Sequence, residues 1–126
     1  MITGLDHLVL TVADVEATCH FYDVTLGIPS ISFAGGRRAL QVGDQKINLH
    51  AAGREWDPKA RVPTAGSGDF CLITDTPLNM LIARLGAAGV SIEEGPVPRT
   101  GARGPMLSVY FRDPDGNLLE LLSTDD

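Results

Sequence analysis

The sequence predicts an α+β fold of two modules that repeat one element order, strand–helix–strand–strand–strand (βαβββ). Three observations predict it. Apolar residues alternate at the start of each half and then recur at helical spacing, the mark of a strand followed by a helix. Glycine (14 residues) and proline (8 residues) fall mostly between these periodic segments, so they punctuate elements rather than dominate them. A polar stretch, residues 52–68, separates the two runs, and Leu26-Gly27-Ile28 in the first is echoed by Ala88-Gly89-Val90 in the second. A chain of 126 residues suits one domain built from two such halves, with module 1 at 1–51, a linker at 52–68 and module 2 at 69–126.

Each element has a local reason. Leu5–Val12 alternates, with Leu5, His7, Val9 and Thr11 on one face, and is rich in strand formers. Asp14 can cap a helix whose stripe is Val15, Cys19, Tyr22 and Leu26, and Gly27 can end it. Ile28–Ala34 and Arg38–Val42 flank the hairpin signal Gly35-Gly36, and Gly43-Asp44 turns the chain into Gln45–Ala51. In the second half Asp69–Thr74 is a strand, and Thr76 followed by Pro77 at the first helical position starts a helix. Leu78, Leu81, Ile82 and Leu85 form its apolar face, with Gly86 or Gly89 to end it. Val90–Glu94 reads as extended and Gly95–Pro105 as a Gly/Pro/Arg-rich loop. Met106–Arg112 and Asn117–Leu122 are strands joined by the turn Asp113-Pro-Asp-Gly116.

Composition excludes several classes. The chain is 44% hydrophobic and 21% charged, which argues against disorder. Ten Lys+Arg against sixteen Asp+Glu give a net charge of −6, a poor match to nucleic acid. No apolar run reaches the ~18–20 residues of a membrane span. The N-terminus lacks the pattern of a secretory signal, and Cys19 and Cys71 form no disulfide framework, so a cytoplasmic address is expected.

The informative residues are polar side chains that interrupt apolar strands. His7 lies on the first strand of module 1 and His50 on its last, sharing a face with Lys46 and Asn48. Asp69 opens the first strand of module 2, and Glu120 lies between leucines on its last. A buried, unpaired carboxylate there would cost several kcal/mol. Two imidazoles with one or two carboxylates suit one divalent metal: Zn, Ni, Co, Mn or Fe(II). Counted from the two tight turns, Glu120 aligns with Asn48 rather than His50. Both point to the same side, and imidazole is the better ligand, which favours His50. Cys71 reads as a small core residue and His20 as a surface histidine. Arg99 and Arg103, in the glycine-rich loop, can fold over an anionic substrate and grip a carboxylate.

Leu5-Asp-His-Leu-Val-Leu-Thr-Val12, Phe21-Tyr22 with Leu26-Gly27, and Phe111-Arg-Asp-Pro-Asp-Gly-Asn-Leu-Leu-Glu-Leu121 resemble the vicinal oxygen chelate superfamily. That superfamily includes glyoxalase I, fosfomycin-resistance proteins, extradiol dioxygenases and bleomycin-binding proteins. Asp44–His50 and Glu93–Ala102 resemble more narrowly a subgroup of small glyoxalase-domain-containing proteins. The resemblance implies a homodimer of paired βαβββ modules whose sheet curves around a metal cleft. His7 and Glu120 match its metal positions. Asp69 stands where a histidine is frequent, and Asn48 or His50 where a glutamate is frequent. The expected function is that of a metal-dependent, lactoylglutathione-lyase-like isomerase or lyase acting on a small substrate with vicinal oxygens. A thiol adduct of a 2-oxoaldehyde would fit, with glutathione as co-substrate. His7, His50, Glu120 and Asp69 would hold the metal, Glu120 and Asp69 would move protons, and Arg99, Arg103 and Asn48 would bind substrate. The alternatives are an Fe(II) extradiol-type dioxygenase and a metal-free drug- or metabolite-binding protein.

Overall fold

A computed structural model describes residues 1–123; the last three residues of the expected second module, 124–126, lie outside the described residues. The element order is β1 (His7–Val12), α1 (Val15–Leu26), β2 (Ser30–Phe33), β3 (Arg37–Val42) and β4 (Gln45–Ala51). It continues with β5 (Asp69–Thr74), α2 (Leu78–Ala87), β6 (Glu94–Gly101), β7 (Gly104–Arg112) and β8 (Leu118–Ser123). The chain divides into two compact units, the first ending at Ser67 and the second beginning at Gly68. Each holds one four-stranded mixed sheet, ordered β1-β4-β3-β2 and β5-β8-β7-β6. The fold is α+β, two βαβββ modules of one topology. Among the described residues no helix is long and apolar enough to cross a membrane.

In the first unit β1 runs parallel to β4, with His7 opposite Lys46, Val9 opposite Asn48 and Thr11 opposite His50. Strand alternation therefore sends Leu10, Val12, Ile47 and Leu49 to the other face, where all four are buried. α1 packs against β3 and β4 and buries Cys19 and Tyr22. Each large apolar side chain so buried contributes about 1.5–3 kcal/mol. Asp14 caps α1 by accepting from the Ala17 amide at 3.0 Å. Gly27 ends it with φ 67°, a left-handed conformation that only glycine adopts at low cost. β1 begins at His7 rather than Leu5: its ladder with β4 starts at His7 opposite Lys46, and Leu5 is held through its carbonyl, which accepts from the Gln45 side chain at 2.7 Å.

The second unit repeats this plan. β5 is parallel to β8, with Asp69 opposite Leu118, Cys71 opposite Glu120 and Ile73 opposite Leu122. Leu119, Leu121, Val109 and Phe111 are buried on the face against which α2 packs. Pro77 is the N-cap of α2 and makes no side-chain cap; the helix itself begins at Leu78, one residue later than expected. The helix ends at Ala87, where Val90 donates back to the Leu85 carbonyl across Gly89, whose φ is +79°.

The segment read as a loop is the main departure. Val90–Glu94 is not a strand; instead Glu94–Gly101 forms β6 and pairs antiparallel with β7. β6 is the edge strand of its sheet, where Pro96 and Pro98 cost no central ladder bond. A register shift between Glu94 and Val97 absorbs Gly95. Gly95 has φ +110°, and a Cβ there would collide with the Ser108 carbonyl oxygen, so the bulge requires glycine.

Candidate functional site

The face of each sheet opposite its helix carries the candidate residues. In the first unit it presents His7, Val9 and Thr11 from β1 beside Lys46, Asn48 and His50 from β4. The His7 side chain is exposed, and its Nδ1 lies 2.8 Å from the Asp6 carboxylate. Such a contact orients an imidazole and leaves Nε2 for a ligand. Lys46 places its Nζ 3.6 Å from the Phe33 ring centroid. Asn48 Oδ1 is buried with no hydrogen-bond partner. A buried polar atom in that state costs about 1–3 kcal/mol unless something fills it.

Register decides which β4 residue accompanies His7. Asn48 is the diagonal neighbour of His7, about 8 Å away at Cα, whereas His50 is four residues along, about 14 Å away. The register thus brings Asn48, and not His50, beside His7. His50 is itself buried, and its pKa is lowered by that burial, with the Arg37 guanidinium adding to the effect and Glu55 opposing it.

In the second unit Asp69 and Glu120 stand in the same diagonal relation. Glu120 is half-buried and accepts a 2.6 Å hydrogen bond from the Ser108 hydroxyl at Oε2. It lines a cavity of about 360 Å³ with Cys71, Ile73, Met106, Leu122 and Arg103. Cys71 is exposed to this cavity rather than packed in the core, because its face is the one that α2 leaves uncovered. Burial of the thiol, with the Glu120 charge beside it, pushes its pKa up to about 11. Asp69 is exposed and lies in one row with Leu118 and Arg112. Arg112 pairs with Glu93 at 3.0 Å, and that bond is the main reason its pKa is raised.

The two arginines differ. Arg99 lies on β6 and is committed to Tyr110 Oη at 2.8 Å and the Glu94 carboxylate at 2.6 Å. Arg103, at the exposed β6–β7 tip, has no such partner among the described residues. Among the described residues no three His, Cys, Asp or Glu side chains stand close enough together to form a metal cluster by themselves.

Two contributors escape a sequence reading. Ser108 sits in a strand with nothing to distinguish it until pairing with β8, opposite Leu122, brings its hydroxyl diagonally to Glu120. The Asp113–Asn117 turn does more than reverse the chain. Asn117 is buried, donates to Asp113 at 2.8 Å and accepts from the Gly68 amide at 2.7 Å. It thereby ties the start of β5 to the start of β8, where Asp69 stands opposite Leu118. The Asp-Pro-Asp-Gly-Asn spelling was the available signal.

Comparison with known proteins agrees with this architecture. The family model of the Glyoxalase/Bleomycin resistance protein/Dioxygenase superfamily matches residues 4–121. The chain is 52% identical over 121 residues to virulence protein STM3117 of Salmonella typhimurium, covering 96% of this chain and 84% of that protein. It is 48% identical over 125 residues to the glyoxalase domain-containing protein RDO1 of Mycosarcoma maydis, covering 99% of this chain and 70% of that one. The solved structure of an integron cassette protein from V. cholerae superposes with a TM-score of 0.96 at 53% identity, covering 99% of this chain and 98% of that one. With a family match across nearly its whole length and both modules in place, the chain belongs to the Glyoxalase/Bleomycin resistance protein/Dioxygenase superfamily.

Proposed function

We propose that this protein is a metal-dependent enzyme of the glyoxalase I-like kind, an isomerase or lyase acting on a small molecule with two neighbouring oxygens. The observation that carries the proposal is Glu120, a carboxylate on an otherwise apolar strand, aimed at a cavity and steadied by Ser108. The candidate donors for a divalent cation are His7 with Asn48 on the first unit's sheet and Asp69 with Glu120 on the second unit's. The unfilled Asn48 oxygen and the Asp6-oriented His7 ring are the chemistry that such an ion requires. The chemistry supplied by the cation when bound is stabilisation of negative charge on the two substrate oxygens.

The chain's own residues supply the rest. Ser108 occupies Glu120 Oε2, which leaves Oε1 to take a proton from carbon next to a carbonyl. Cys71 stays a neutral thiol at physiological pH, so it does not compete as a nucleophile. Arg103 supplies positive charge at the cavity rim for a substrate carboxylate, as glutathione carries. A homodimer, as the family resemblance implies, is the proposed working form, which sedimentation would measure.

The test is turnover of methylglyoxal with glutathione by protein loaded with Ni, Co or Zn. Glu120→Gln should lose about 10²–10⁴ of that rate, the usual share of a proton-transferring group. Absence of turnover with every metal, together with no thermal shift on metal addition, overturns the proposal. A second reading, a metal-free binder of small apolar metabolites, is favoured by the Ile73, Met106 and Leu122 walls of the same cavity. It predicts binding that is indifferent to chelator. The Fe(II) dioxygenase reading draws less support, since its two-histidine set needs His7 and His50 together.

A further inference from the structure

The first unit has a second concavity, of about 420 Å³, between the start of α1, the β2–β3 turn and the segment after β4. Three guanidinium groups, Arg37, Arg38 and Arg54, line it with one carboxylate, Glu16, on a chain whose net charge is −6. Glu16 is already neutralised, because Arg38 Nη1 donates to both of its oxygens at 2.7 and 2.6 Å. Arg38 Nη2 is used by Ser30 at 2.7 Å, but Arg38 Nε is buried without an acceptor. A charged donor left in that state marks a missing acceptor.

The other two cations are uncompensated. Arg37 lies with its guanidinium carbon 4.6 Å from the Trp56 ring centroid, so stacking fixes its plane while its in-plane N–H groups stay unspent. Arg54 is exposed, and its side chain has no acceptor among the described residues. Trp56 and Leu49 give the cavity apolar wall. Two free guanidinium forks, Arg37 and Arg54, with the one unpartnered Arg38 Nε, match an anion with more acceptors than a carboxylate offers, and the indole wall matches an attached apolar group.

We propose that this cavity binds a small organic phosphate monoester, the phosphate held by Arg37, Arg54 and Arg38 Nε and its organic part lying against Trp56. The site is separate from Glu120 and does not depend on a metal. Trp56 is the chain's single tryptophan, so its fluorescence reports on this cavity alone. Titration with phenyl phosphate should give a saturable change at millimolar concentrations or below. Inorganic phosphate and benzoate should each bind at least tenfold more weakly. Arg54→Ala should weaken phenyl phosphate at least tenfold, whereas Arg61→Ala, a cation outside the cavity, should leave affinity within twofold. A matching rise in melting temperature with phenyl phosphate, lost in Arg54→Ala, checks that the signal is binding to folded protein. The proposal fails if the response does not saturate, if benzoate binds as well, or if the two arginine variants behave alike.

Discussion

Asn48 holds in the first sheet the place that Glu120 holds in the second. Each lies on the strand paired parallel to its module's first strand, opposite the residue two beyond His7 or Asp69. One carries a neutral amide with an unfilled oxygen; the other carries a carboxylate steadied by a serine.

If Asn48 is the first module's metal donor, changing its charge tunes affinity directly. Asn48→Asp should tighten Zn or Ni at least tenfold in competition with a chromophoric chelator. His50→Gln should alter it less than threefold. The reverse ranking would return the role to His50.

The Glu120 charge adds to burial in raising the Cys71 pKa, so the thiol reports on its neighbour. In a Cys19→Ser background the alkylation rate of Cys71 should keep rising up to about pH 11, where half the thiol is ionised. Removing the neighbouring charge with Glu120→Gln should lower that midpoint and speed alkylation at pH 8.

Stability should fall in mild acid because of His50. Its folded pKa lies below the ordinary 6.5, chiefly through burial, so the unfolded chain takes up the proton first as pH drops. The contribution of neutral His50 is therefore complete above pH 6.5 and is lost as pH falls through the folded value. Urea midpoints of metal-free protein should decline between pH 7 and pH 5, and His50→Phe should flatten that slope.

The Asn117 tie should be expensive to cut. Asn117→Ala leaves the part-buried Gly68 amide without its side-chain acceptor and removes one donor to Asp113, a loss of about 1–3 kcal/mol by urea unfolding. Asn117→Asp keeps the acceptor for Gly68 but sets a second carboxylate against Asp113, so it should fare no better. A loss below ~1 kcal/mol would mean that the turn holds without its side chain.

The sequence by itself determined the two-module plan, the helices with their apolar stripes, the tight turns at Gly35-Gly36 and Gly43-Asp44, and the open faces that carry His7, Asp69 and Glu120. Those features are local: alternation, helical spacing and glycine backbone freedom act over a few residues. The tertiary structure alone decided the rest. β6 was hidden because Pro96 and Pro98 signal a loop to any local reading, and only an edge position, free of ladder demands on one side, makes them compatible with a strand. Asn48 and His50 share a face, so parity cannot separate them; the turn count already aligns Asn48 with Glu120, and the β1–β4 register places Asn48 nearer His7 than His50, since each two-residue step displaces a side chain by about 7 Å while preserving its direction. Ser108 beside Glu120, and Arg99 spent on Glu94 and Tyr110, are meetings between separate strands. Such meetings belong to strand pairing, which the chain settles only once it has folded.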